Sequence, residues 1–331
     1  MKHLLFTLNA ILPIILPILL GYFLKRINFF KGDFLNQANK LVFKILIPIT
    51  LFCNLYMADL SHINWSFVGF GALAILMLFG IGLIITLFFS DKKQKGVMLQ
   101  ACFRSNYAII GIPLATSLGG VIAEAEASVM AAISVPLFNV LAVIALSIFY
   151  KEDEENKVSV KEVLLNIVKN PLIIGVFTGL VVCLINMGIS ELGFDIKSFL
   201  NNKVTFIPKT INSLKACMTP IALLVLGAKF EFTAIKALWK QITTAVVFRL
   251  FITPLIFLSI AYLLGFRSST DFAILIALFA TPIAVSSVPM TAQMGQDDQL
   301  AGQIVVWTSA ISAFSLFLII FICSQIGIFA I

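Results

Sequence analysis

The sequence predicts an all-α polytopic membrane protein: ten transmembrane helices in two inverted five-helix repeats, with broken, crossing helices 4 and 9. Three observations carry that prediction. The 331 residues are 60% hydrophobic and 12% charged, with a mean hydropathy of +1.05, whereas soluble domains are roughly 25% charged. Long apolar stretches bounded by charge or turn residues recur ten times, each close to the ~20 residues a helix needs to cross a bilayer. Proline-centred motifs of the first half return in the second. Such a composition excludes a cytosolic enzyme, and only 2 His remain for acid/base or metal chemistry.

The expected spans are, in order, 4–24, 38–58, 67–89, 97–118, 129–150, 171–187, 207–227, 246–265, 272–294 and 302–323. The first contains Pro13 and Pro17, outruns the apolar core of a secretory leader and is followed by Lys25 and Arg26 without a small-residue cleavage site, so it reads as a retained helix. Single prolines in later spans, Pro48, Pro136 and Pro254, are expected to bend their helices. The 5 cysteines fall in or beside apolar runs with no C-x-x-C pair, which points to buried packing rather than to disulfides or metal.

Loop charge sets the orientation. Fifteen Lys and Arg fall on the side of the loops after spans 1, 3, 5 and 7, against six on the other: Lys2, Lys197, Lys203, Lys209, Lys215 and Arg267. Cationic loops resist translocation, so both termini are expected outside a cytoplasmic membrane, with the hydrophilic linker 151–170 in the cytoplasm. Because the basic residues sit in short clusters between apolar runs, the net charge of +7 is a topology signal and not a nucleic-acid footprint.

The linker divides the chain into a first unit, 1–150, and a second, 171–331. PIILPILLG at 13–21 aligns with PLIIGVFTG at 171–179, and Pro48-Ile49 with Pro220-Ile221. PLATSLG at 113–119 overlays PMTAQMG at 289–295 at an offset of 176 residues, which also places Phe138 on Phe314. Two units with an odd number of crossings must insert in opposite senses, an arrangement that secondary transporters use repeatedly.

Spans 4 and 9 combine helix breakers with small polar residues. In span 9 the interruption is expected around Thr281, Pro282, Ser286, Ser287 and Pro289, and in span 4 near Ser105, Asn106, Tyr107 and Gly111, ahead of Pro113. Backbone groups freed in hydrocarbon are tolerated only where they line protein or a cavity, so matching breaks mark a binding site. Half-helix N-termini converging there would favour an anion. Arg104 and Arg249 lie within spans 4 and 8, while no Asp or Glu lies at the centre of any span. Each arginine is a candidate for carboxylate recognition. The alternatives are that Arg104 snorkels to the headgroups and Arg249 pairs with helix carbonyls. Asn139 serves either the cavity or interhelical packing.

RSNYAIIGIPL at 104–114, LFATPIAVSSVPMTAQMG at 278–295, MTPIALLVLGAKF at 218–230, RLFITP at 249–254 and NPLIIGVFTG at 170–179 together resemble the auxin efflux carrier family, specifically its short bacterial permeases, over nearly the whole chain. The resemblance implies a scaffold of helices 1, 2, 6 and 7 and a transport domain of helices 3–5 and 8–10, whose relative motion gives alternating access. It further implies organic acid substrates such as malate or malonate, a homodimer, and an architecture shared with bile-acid sodium symporters, leaving proton or sodium coupling open. In plant members an asparagine follows the crossover proline of each broken helix and helps bind the auxin carboxylate. Asn106 matches the first of these, after Ser105 in place of proline, but Ile283 follows Pro282 in the second copy. That departure counts against auxin itself and makes Asn106 the leading ligand candidate. A membrane-embedded sensor that binds a metabolite without moving it is the alternative function. An enzyme has little support without an acidic pair, H-E-x-x-H or a Ser/His arrangement.

Overall fold

The computed structural model describes residues 2–57, 64–149, 169, 171–190, 196–228 and 235–329. The expected linker 151–170 lies outside the described residues except for 169, as do the expected span ends at 58 and 150. Among the described residues every regular element is helical. In chain order these are α1 (Lys2–Arg26), α2 (Phe34–Leu41), α3 (Ile47–Met57), α4 (Trp65–Thr86), α5 (Lys92–Phe103), α6 (Ile112–Ile148) and α7 (Pro171–Ser190). They continue with α8 (Ile196–Lys203), α9 (Phe206–Ala228), α10 (Ile235–Val247), α11 (Thr253–Leu263), α12 (Ser269–Phe279), α13 (Ser287–Gln293) and α14 (Asp298–Gln325).

Among the described residues, five continuous stretches are long and apolar enough to cross a bilayer: Trp65–Thr86, Tyr107–Ile148, Phe206–Ala228, Leu238–Leu263 and Asp298–Gln325. α1, which bends by 49° between Lys2–Ala10 and Leu12–Arg26, makes a sixth if counted as one span. The other expected spans fall on shorter or interrupted helices. The stretch from Tyr107 to Ile148 joins what the sequence separates into 97–118 and 129–150. At 42 residues it would extend roughly 60 Å if straight, but the backbone leaves helical geometry at Gly120, with φ 69° and ψ −156°. Glycine takes positive φ without a Cβ penalty, so this one residue breaks the helix with a kink where a loop was expected.

Pro48 and Pro254 do not simply bend their helices. Three π-helical turns, Val42–Leu46, Tyr107–Gly111 and Phe248–Ile252, each end two residues before a proline, Pro48, Pro113 and Pro254. A proline ring collides with the carbonyl four residues earlier and offers it no N–H. In each case that carbonyl belongs to the preceding wide turn, and the backbone absorbs the conflict by adding a residue to the turn.

α1 packs along α9 and α3 along α7. Both seams rest on glycine: a Cβ on Gly21 would meet the Leu224 carbonyl, one on Gly227 the Ile18 carbonyl, and one on Gly175 the Pro48 carbonyl. In lipid there is no hydrophobic gain from bringing apolar helices together, so close backbone approach through small residues supplies the packing. α12 is the opposite case. Every residue from Phe272 to Phe279 is buried, as befits a helix apolar on all faces, and it lies against α6. Of the cysteines, Cys53, Cys102, Cys183 and Cys323 are buried as expected, but Cys217 is exposed.

Candidate functional site

The chain leaves helical geometry between α5 and the turn at Tyr107, and again between α12 and α13, and the two interruptions cross. Ser105 and Ile283 form an antiparallel bridge. The Asn106 N–H donates to the Pro282 carbonyl at 2.8 Å and the Ala284 N–H to the Arg104 carbonyl at 3.3 Å. The Ile283 N–H reaches the Thr308 hydroxyl at 3.4 Å. The backbone groups released by one break are therefore largely satisfied by the other, which answers the cost of exposing them in hydrocarbon. At the centre, the Ser105 and Thr281 hydroxyls lie 2.6 Å apart. These residues are separated by 176 positions, the offset that overlays the two proline motifs.

Both arginines converge on this crossing but are held differently. Arg104 is 3% exposed, so it does not snorkel to the membrane surface. Its guanidinium donates to Gln100 Oε1 at 2.7 Å, Asn139 Oδ1 at 3.0 Å and Ser286 Oγ at 3.2 Å, with Met290 Sδ at 3.1 Å. All four partners are neutral. Arg249 is fully buried and donates through Nε to the Thr281 carbonyl and through Nη2 to the Leu278 carbonyl, each at 2.9 Å. These carbonyls close the end of α12, where the helix dipole is negative. Arg249 thus takes the structural alternative, pinning the break, while its Nη1 is left without a partner.

Asn106 is buried and its backbone carbonyl accepts from Ile110 and Gly111 as the next helix starts. Its side-chain Nδ2 is buried without a hydrogen-bond partner. Such an orphaned donor is rare and costly. Tyr107 turns away, its hydroxyl donating to the Ala127 carbonyl at 3.1 Å. A Cβ on Gly111 would meet the Tyr107 ring and the Ala277 carbonyl, so that glycine admits α12 and not a ligand. Ser287 donates to the Ala284 carbonyl at 2.6 Å and shapes the turn into α13. Pro289 lies within α13, and Pro113 begins α6 beside the smaller cavity described below.

A cavity of about 910 Å³ leads to Ser286 from the end of the molecule where α14 begins, its walls including Lys25, Lys40, Lys44, Asp298 and Gln303. A smaller cavity of about 370 Å³ lies at the other end of the crossing, lined by Thr50, Pro113, Thr116, Glu124, Lys215 and Thr219. There Lys215 on α9 pairs with Glu124 at 2.7 Å. Gln100 and Met290 are partners of Arg104 that were not expected from the sequence, although Gln100 sits four residues earlier, one helical turn away. Lys25, Lys40 and Lys44, which in the sequence mark topology, also line the large cavity.

Comparison with known proteins agrees with this construction. The membrane transport protein family matches residues 6–320. An uncharacterized transporter of Methanocaldococcus jannaschii is 25% identical over 256 residues, covering 75% of this chain and 76% of that protein. A multi-pass helical protein with two interrupted helices paired at their breaks, matched over nearly its whole length, belongs to the membrane transport protein family, the auxin efflux carriers.

Proposed function

We propose that the protein is a secondary transporter of small organic acid anions in the cytoplasmic membrane, and that Asn106 and Arg104 bind the carboxylate where the two breaks cross. The observation that carries this reading is a buried guanidinium with only neutral partners, borne two residues before the buried, unpaired amide nitrogen of Asn106 in the same break. An anion would supply what both lack. In this reading the ten crossings form two inverted repeats, with α1, α2–α3, α7 and α9 as the scaffold and the rest as the moving domain. Both termini lie outside, the large cavity opens to the cytoplasm, and its lysines raise the local anion concentration. The Ser105 and Thr281 contact at the repeat offset and the matching glycine seams support that arrangement.

The test is uptake and counterflow in proteoliposomes over a panel of mono- and dicarboxylates, with sodium and pH gradients imposed separately. Saturable flux is expected for at least one acid. Asn106→Ala removes two amide donors and should lower apparent affinity roughly tenfold, as loss of about 1.5 kcal/mol implies. Saturable binding with no flux for any acid favours a metabolite sensor instead, and unchanged transport by Asn106→Ala removes the site.

Elevator-type exchange between the two cavities requires Glu124, in the moving domain, to part from Lys215 on the scaffold. The side chains are 19% and 30% exposed, so the pair contributes about 1 kcal/mol or less. Lys215→Met should shift the population towards the outward-open form up to about fivefold. Labelling of Thr116→Cys by an impermeant maleimide, in a background lacking Cys217, reads that shift. An unchanged labelling rate denies the pair a gating role.

A further inference from the structure

Resting on the transport reading above, we propose that the protein is an obligate exchanger: a bound carboxylate must be replaced by another before the binding site recrosses the membrane, because the empty site carries the uncompensated charge of Arg104. The two buried arginines differ in the way that matters here. Arg249 donates to the Leu278 and Thr281 carbonyls at the negative end of a helix, so its surroundings are the same whether the site is loaded or empty. Arg104 is held by an amide oxygen at 2.7 Å, a second at 3.0 Å, a hydroxyl at 3.2 Å and a thioether at 3.1 Å. Among the described residues no Asp or Glu pairs with Arg104.

Hydrogen bonds to neutral groups fix the guanidinium without cancelling its charge. The cost of that uncancelled charge is greatest when the site passes through the low-dielectric middle of the bilayer. A bound monocarboxylate cancels the charge of Arg104 at this point. The loaded site should therefore recross readily and the vacant one slowly, with the barrier set by one residue. Voltage provides a second signature. Exchange of identical anions moves no net charge, whereas net efflux requires the empty, positively charged site to return inward, so an inside-negative potential should speed only the net process.

The experiment measures efflux of a labelled acid from proteoliposomes with the voltage clamped, in the presence and absence of the same unlabelled acid outside. Wild type is expected to release label on the order of tenfold faster, or more, when the external acid is present. Gln100→Glu is the decisive variant, since it puts an anion where Arg104 already has a partner at 2.7 Å. That built-in counterion should raise net efflux and bring the ratio of exchange to net flux towards one. Equal efflux with and without external acid overturns the inference while leaving transport intact, and so does a Gln100→Glu protein that transports with the wild-type ratio. Absence of flux under every condition, with wild type verified as folded, overturns instead the transport reading on which it rests.

Discussion

Gly227→Ala is expected to lower the thermal stability of the purified protein sharply, although alanine is the better helix former by about 1 kcal/mol. The reason is the seam between α1 and α9. The added methyl would meet the Ile18 carbonyl, and the reciprocal change at Gly21 would meet the Leu224 carbonyl. Backbone cannot rotate aside as a side chain does, so the helices must separate and lose contact along their length. Overpacking of this kind costs about 1–3 kcal/mol per site before that wider loss. Gly80 supplies the control, because a Cβ there meets nothing within 4 Å. Gly80→Ala should be neutral or mildly stabilising in the same melting assay. Equal melting temperatures for Gly227→Ala and Gly80→Ala would show that the seam is looser than the backbone contacts indicate.

Arg249→Met has the second large effect. Removing the guanidinium leaves the Leu278 and Thr281 carbonyls without these partners in a buried setting, at about 1–3 kcal/mol each. Relief of the cation's own desolvation offsets part of that cost, so a net loss on the order of 3 kcal/mol is expected. Because Thr281 also touches Ser105, the loosened carbonyl should disturb the crossing, and transport should fall further than stability alone accounts for. Arg249→Lys, which keeps the charge but offers one donor group, should melt between wild type and Arg249→Met. If Arg249→Met melts with wild type, the arginine does not secure the end of α12.

The helical class and the location of both breaks were legible in the chain because they depend on local properties. Apolar runs announce crossings, and Pro282 or the Ser105-Asn106 pair announces where a ladder of hydrogen bonds stops. What was not legible depended on direction. Whether Arg104 points to a headgroup or to Asn139 and Ser286 is decided by neighbours on helices far away in sequence, and nothing within α5 discloses them. Tyr107 stands in the break by its sequence position, but its hydroxyl is committed to the Ala127 carbonyl. The wide turns before Pro48, Pro113 and Pro254 were invisible for another reason. A proline says that the regular ladder fails, and the surrounding packing decides whether the chain kinks or gains a residue.

The meeting of Ser105 and Thr281 joins two groups that can each give or accept a proton, so no charge is needed to hold them together. Arg104 precedes the first of these hydroxyls and Ala280 the second, so a cation adjoins only one side of an otherwise even-handed contact.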